Sequence, residues 1–210
     1  MKKISFSFLV LLALTSCAQG TNNRDTNNVE SIQMKDEQVA YFASGCFWCV
    51  EAVFESVKGV REAVSGYAGG KIKDPTYSQV SSGKTQHAEA VKVYYDSSVV
   101  SYTTLLDVFF NSHDPSTLNQ QGPDSGPQYR SIAFYSSQSE LAAIRNKISM
   151  LKKQKRFAKI TTEVSPIRSF YKAEEYHQNY ERNHPENSYV QNVSIPRLNL
   201  FKKRMPEVLK

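Results

Sequence analysis

From residue 39 to residue 135 the apolar residues shift between two spacings, and the order of those shifts admits few folds. "QVAYFAS" reads as a strand running into Gly45. From Cys49 onward the spacing is helical, with Val50, Val53, Phe54 and Val57 at i, i+3, i+4 and i+7, and Gly59 stops it. "VREAVSGYAGG" gives a short strand and a glycine turn, "HAEAVKVYYD" alternates like a strand, "YTTLLDVFFNSH" reads as a helix and "YRSIAFY" as a strand. Strand, helix, strand, strand, helix, strand is the split βαβ order. An α+β fold is therefore expected: a two-layer α/β sandwich with a ferredoxin-like βαββαβ core. Beyond it come a helix with Leu141, Ile144, Ile148 and Leu151 on one face, a strand in "TTEVSPI", a shorter helix in "KAEEYHQNYERN" and an irregular C-terminal segment. Two polar loops, "KIKDPTYSQVSSGKTQ" and "DPSTLNQQGPDSGPQ", interrupt the core, and loops of that length inside a compact domain are usually functional. Both can close over the helix start at Cys46.

The N-terminus follows a different rule. Lys2 and Lys3 precede the apolar run "ISFSFLVLLAL", which has the size of a secretory signal and is short for a bilayer span. The run ends in "LTSC", which resembles a bacterial lipoprotein signal, cut before Cys17 with that thiol then acylated. An ordinary signal peptide followed by an unrelated cysteine is the alternative. The lipoprotein reading divides the chain into a signal peptide at 1–16, a lipidated cysteine and flexible tether at 17–38, and one folded domain at 39–210. It places the protein in the cell envelope, anchored to a membrane by lipid. Removing residues 1–16 takes away two lysines and no acids, so 26 basic against 20 acidic residues become 24 against 20, a charge of +4 in place of +6. That excess reads as solvated surface, with no nucleic acid expected as a partner.

Once Cys17 is set aside, Cys46 and Cys49 are the remaining cysteines, and the one tryptophan of the chain lies between them in "GCFWC". No disulfide framework can be built from them, so they read as reactive thiols. A thiol in the first turn of a helix lies where unsatisfied N–H groups favour negative charge, and its pKa is expected to fall. Cys46, at the strand-to-helix junction, is the better nucleophile, and Cys49 is placed to resolve an oxidised Cys46 as a disulfide. A zinc site would need a second pair of ligands at finger spacing, and a c-type haem site would need His where Val50 stands. A thioredoxin-like oxidoreductase shares the strand-to-helix Cys-x-x-Cys, but its order of strands and helices differs and Phe47-Trp48 is bulky.

"GCFWC", "GYAGG", "PTYSQVSSGKTQHAEAVKVYYD", "HDPSTLNQQGPDSGPQYRS" and "AEEYHQNY", in this order, resemble the A-type peptide-methionine sulfoxide reductases. The resemblance runs from about Val39 to Tyr180, with a weaker echo in "HPENSYVQNVSIPRLNLFKK". It implies reduction of the S epimer of methionine sulfoxide, in proteins or free, with no cofactor and no metal. It implies Cys46 as the nucleophile, Phe47 and Trp48 as walls for the substrate methyl group, and Glu89 as the acid that protonates the sulfoxide oxygen. Tyr77 and Tyr129 correspond to hydroxyl donors to that oxygen, and Asp124 to an acid near the same place. The chemistry fits these types, because a sulfoxide oxygen leaves only when protonated and a carboxyl buried against aromatics keeps its proton. Some family members carry resolving cysteines near the C-terminus; here the tail has none, which leaves Cys49 unless an external thiol acts directly. The expected partners are oxidised proteins or peptides and a thioredoxin-like electron donor, and a monomer is expected. His87, His177 and His184 read as structural hydrogen-bonders.

Overall fold

The structure, a computed structural model, describes Met1 and residues 36–210. Residues 2–35, which hold the expected signal peptide, Cys17 and most of the expected tether, lie outside the described residues. The first strand, β1 (Glu37–Ser44), starts two residues before the expected boundary at Val39. Glu37 and Gln38 belong to it because they pair with Asp96 and Tyr95 and extend the ladder.

Then come α1 (Phe47–Glu55), β2 (Val60–Ala68), α2 (Tyr77–Ser81), β3 (Ala88–Asp96) and α3 (Tyr102–Ser112). A two-residue hairpin, β4 (Gln120–Gln121) with β5 (Asp124–Ser125), leads to β6 (Ser131–Tyr135) and α4 (Gln138–Lys153). β7 (Glu163–Pro166), β8 (Phe170–Lys172), α5 (Tyr180–Asn183) and α6 (Ile195–Arg204) complete the order. One six-stranded sheet runs β7-β6-β1-β3-β2-β8. Its four central strands are antiparallel in the order β6-β1-β3-β2, the ferredoxin-like arrangement expected of the core. β7 joins β6 in parallel, and β8 joins β2 antiparallel.

Alternation along the strands decides what each face carries. Phe42, Val91 and Val93 turn to the helices, where Phe42 stacks on Phe54 of α1 and Phe109 of α3 with ring centroids 4.9 and 5.2 Å apart. Val50, Val53, Phe54 and Val57, the stripe visible in the sequence, are all fully buried in that layer. The opposite face holds a smaller cluster of Ala43, Ala68, Ala88, Ala90, Ile132 and Phe134.

Five local features differ from the sequence reading. α1 begins at Phe47, two residues before Cys49, with Cys46 as its N-cap. The loop 71–86 contains α2, started by a capping box in which Thr76 Oγ1 accepts the Gln79 N–H and Gln79 Oε1 accepts the Thr76 N–H. The helix read over "KAEEYHQNYERN" is broken into a 3-10 turn at Glu175–His177 and a single turn, α5. It breaks because Asn179 is left-handed (φ 53°) and the Gln178 side chain bonds Ser65 and Ala173 instead of continuing the helix. The C-terminal segment is helical rather than irregular: a π turn at Val190–Ser194 runs into α6, whose Phe201 enters the core. β8, absent from the sequence reading, fits beside β2 only because residue 66 is glycine. A Cβ there would fall 2.3 Å from the Phe170 ring.

Glu51 of α1 is 2% exposed, accepting the Ser65 hydroxyl and the Asn179 N–H. Burial raises its carboxyl to about 7. A group raised in the native state gives its full stability below its unfolded pKa, and that stability is lost as pH rises through the native value. Glu51→Gln cannot titrate. The stability advantage of the wild type over Glu51→Gln should therefore shrink between pH 5 and pH 8, by up to about 3 kcal/mol. Urea unfolding of both proteins at the two pH values checks this.

Candidate active site

Gly45 makes the junction at which the cysteines sit. It has φ +90°, and a Cβ at that position would lie 2.7 Å from the Gln121 side chain. Only glycine meets both demands without strain. Cys46 then caps α1, its carbonyl accepting the Val50 N–H at 3.3 Å, and Cys49 follows one turn on. Both are free thiols, 6% and 1% exposed.

Glu89 reaches this helix start from β3. It shares the parity of Val91 and Val93, so its side chain enters the helix layer, where it is 1% exposed. Its Oε2 accepts the Phe47 N–H at 3.0 Å, giving a partner to one amide that a helix start leaves open. Burial pushes the carboxyl up to about 8; the Phe47 N–H draws it down, and the nearby Asp124 and Cys49 add to the rise. A neutral carboxylic acid thus stands beside Cys46 at pH 7.

The aromatic residues close round these two groups. Phe47 is buried, 4.9 Å from the His177 ring and 6.4 Å from Tyr77. Trp48 stacks on Tyr180 at 3.7 Å, and its indole N–H donates to His177 Nδ1 at 3.2 Å. Tyr77, on α2, is held by Glu174, which accepts the Tyr77 N–H at 2.8 Å and the Tyr67 hydroxyl at 2.7 Å. Tyr129 ends a 3-10 turn at Pro127–Tyr129, and Asp124 comes from β5. Burial raises the phenol of Tyr77 to about 12 and raises that of Tyr129 as well, so both remain donors. Cys46, Phe47, Trp48, Tyr77, Glu89, Asp124 and Tyr129 all line one cavity of about 360 Å³. Cys49 does not line it.

The thiols depart from expectation. Burial and the neighbouring Cys49 hold the Cys46 thiol well above its ordinary range, against the N–H of Trp48. The charge of the reduced pair falls on Cys49, drawn down to about 6 by the Cys46 thiol hydrogen bond first, then by Arg197, Ser194 and Tyr189. A helix start lowers a thiol that faces water; here the sulfur of Cys46 is buried and shares a proton with its neighbour.

Several residues of the site carried no role in the sequence reading. Glu174, His177 and Tyr180 lie in the quoted stretch "AEEYHQNY", so the motif was visible but not what it holds. Tyr189 donates to Asp124 Oδ2 at 2.6 Å and lies 3.8 Å from Cys49 Sγ, across some 65 and 140 residues of chain. It lies in the quoted echo "HPENSYVQNVSIPRLNLFKK", so the stretch was visible but not what Tyr189 holds. His87 accepts the Gly70 N–H at 3.2 Å and bonds the Ile72 carbonyl at 2.8 Å, and His184 packs on the Tyr180 ring. Among the described residues no group of three or more His, Cys, Asp or Glu is placed to hold a metal.

The sequence profile of the family described as peptide methionine sulfoxide reductase matches residues 38–208. The chain is 49% identical over 174 residues to the peptide methionine sulfoxide reductase MsrA of Pasteurella multocida (strain Pm70), covering 82% of this chain and 99% of that protein. The fold is similar to that of Mxr1 from Saccharomyces cerevisiae in its reduced form, with a TM-score of 0.69 and 33% identity over 75% of this chain and 92% of Mxr1. A structure of Mxr1 in complex with Trx2 is also similar, with a TM-score of 0.51 and 26% identity over 72% of this chain and 91% of that one.

Proposed function

The chain belongs to the peptide methionine sulfoxide reductases and reduces the S epimer of methionine sulfoxide to methionine, a repair of oxidative damage; from that premise we propose how its own residues carry the reaction. Cys46 attacks the sulfoxide sulfur after its proton passes to Cys49. Glu89 gives its proton to the sulfoxide oxygen, while the Tyr77 and Tyr129 hydroxyls stabilise charge building there. The S–O bond breaks and the oxygen leaves as hydroxide, with Cys46 bonded to the methionine sulfur as a sulfonium. The hydroxide attacks the Cys46 sulfur, the S–S bond breaks with its electron pair on the departing methionine, and Cys46 holds the oxygen as a sulfenic acid. Cys49 then attacks that sulfur and expels water, giving a Cys46–Cys49 disulfide. The observation that carries this reading is one small cavity joining a thiol, a buried neutral acid and two phenols. Asp124 accepts from Tyr189 and is held up by burial, so its role is to fix that wall rather than to donate.

Supplying the purified protein with each epimer of a methionine-sulfoxide peptide tests the reading. Turnover of the S epimer with transient loss of both thiols is expected; turnover with Cys49 alone consumed overturns the assignment of Cys46. Phe47 and Trp48 form the apolar wall for the substrate methyl group. Trp48→Ala should lower kcat/KM by about 10–200-fold, chiefly through KM, the worth of one apolar contact of this size. Steady-state kinetics on a short sulfoxide peptide measures that split.

A thioredoxin-like donor is the proposed source of electrons, supported by the similarity to Mxr1 seen in complex with Trx2. We also propose that Cys17 is acylated and holds the enzyme at a membrane of the cell envelope, supported by "LTSC" after an apolar run. Cys17→Ser should move the protein from the membrane fraction to the soluble one without changing its reductase activity. Fractionation followed by the epimer assay reads both.

A further inference from the structure

The two thiols open on opposite sides of one wall. Cys46 lines the cavity that contains Glu89; Cys49 lines a second cavity of about 1000 Å³ and not the first. The wall is Asp124, which borders both, together with Tyr189, whose hydroxyl donates to it. Three arginines, Arg156, Arg197 and Arg204, line the second cavity. They are tied to neutral oxygens: Arg197 Nε to the Ser112 carbonyl at 2.8 Å, Arg204 to the Asn111 carbonyl at 2.9 Å and Arg156 to Asn111 Oδ1 at 2.7 Å. Among the described residues none of the three forms an ion pair. The acids on the same lining are already engaged, Asp114 by the Ser116 N–H and hydroxyl and Asp124 by Tyr189. His113, buried there, is neutral at pH 7 because burial lowers it to about 3. The cavity therefore carries a positive balance, and its volume lies at the upper end of small-molecule sites.

We propose that this second cavity admits a small thiol bearing carboxylates, which reduces the Cys46–Cys49 disulfide by attacking the Cys49 sulfur. The proposal rests on the reading of Cys49 as the resolving thiol. Exchange requires the attacking sulfur to approach along the S–S axis, and Cys49 is the sulfur this cavity offers. The incoming thiolate bonds to Cys49, the Cys46–Cys49 bond breaks, and its electron pair leaves on Cys46. A second thiol attacks the small-molecule sulfur of the mixed disulfide, forming the small-molecule disulfide and releasing Cys49 as a thiolate. Two thiols lose two electrons and two protons; the protein disulfide gains them. Arg197 and Ser194 stand beside Cys49 to receive that leaving thiolate. Electrons thus enter on one side of the wall and the sulfoxide on the other.

The test follows reduction of the disulfide form of the full chain by mercaptosuccinate, 2-mercaptoethanol and cysteamine at equal thiolate concentration. Mercaptosuccinate should be faster than cysteamine by about tenfold or more at low salt, an advantage of the size that a charged cleft confers. That ratio should fall towards one in an Arg156→Gln/Arg204→Gln double variant, where both changed residues are exposed. Mass mapping of the trapped mixed disulfide should find the adduct on Cys49. Equal rates for the three thiols, a charge preference that survives the double variant, or an adduct on Cys46 overturns the proposal. If one turnover leaves no Cys46–Cys49 disulfide at all, the resolving role of Cys49 falls together with it.

Discussion

Cys46→Ser should lower kcat/KM for the S sulfoxide by about 10³-fold or more, because no other group on the cavity can form the bond to sulfur. Substrate binding should survive, since Trp48, Tyr77 and Tyr129 remain in place. The serine is isosteric enough to leave Gly45 and the α1 start intact, although the Cys46 side chain it replaces is buried. Cys49→Ser is expected to behave differently. It leaves the first turnover possible but stops the second at the sulfenic acid, so a burst of one methionine per enzyme should appear under a protein reductant. Quench-flow with methionine detection separates the two: absence of any burst for Cys46→Ser, one equivalent for Cys49→Ser. A full burst from Cys46→Ser would remove it as the nucleophile.

Glu89→Gln should cost about 10²–10⁴-fold in kcat, the usual worth of a positioned proton donor. The pH profile carries the sharper statement. Glu89 acts while protonated and its carboxyl lies at about 8, so the rate should fall as pH rises through that value. The thiolate shared by the cysteines forms as pH rises through about 6, so the rate should climb there. A bell between those limits follows, with the lower limb belonging to the thiol pair rather than to one sulfur. Glutamine cannot titrate, so the variant should lose the upper limb and keep the lower one. Glu89→Asp, shorter by one methylene, should recover part of the rate and keep a falling upper limb. Alkylation of the thiols by iodoacetamide should proceed in Glu89→Gln, which distinguishes loss of the acid from loss of the fold.

The parts of this architecture that rest on periodicity were open to reading in the sequence. The core order from Val39 to Tyr135 follows from spacing alone, and the stripe Val50, Val53, Phe54 and Val57 is buried as its spacing requires. Glu89 shows where that kind of reading runs short. Its parity with Val91 and Val93 was visible, but which face the helices would cover was not, and only the α1 crossover decides it. The break at Asn179 was hidden for a related reason: the competing bonds come from Glu51 and Ser65, distant in the chain. The C-terminal helix buries Phe201 fully and packs Leu198 partly against the core, a stripe too short to stand out in the sequence. The lowered thiol expected at Cys46 failed on burial and on the second sulfur, neither of which a helix-start argument weighs. Tyr189 and Arg197 reach the cysteines because the tail folds back across α1, a contact that the weak resemblance of "SYVQNVSIPRLN" does not specify.

A single turnover without reductant bears most directly on the claim that Cys46 and Cys49 act as attacking and resolving thiols beside a protonated Glu89. One equivalent of S-sulfoxide peptide is mixed with the reduced protein, methionine is counted, and the intact mass and the disulfide map are taken. One methionine per protein, a loss of two hydrogens and a Cys46–Cys49 peptide are predicted, with an added oxygen on Cys46 in the Cys49→Ser variant. Methionine formed while both thiols stay free, or an oxygen carried by Cys49 instead, would contradict the account.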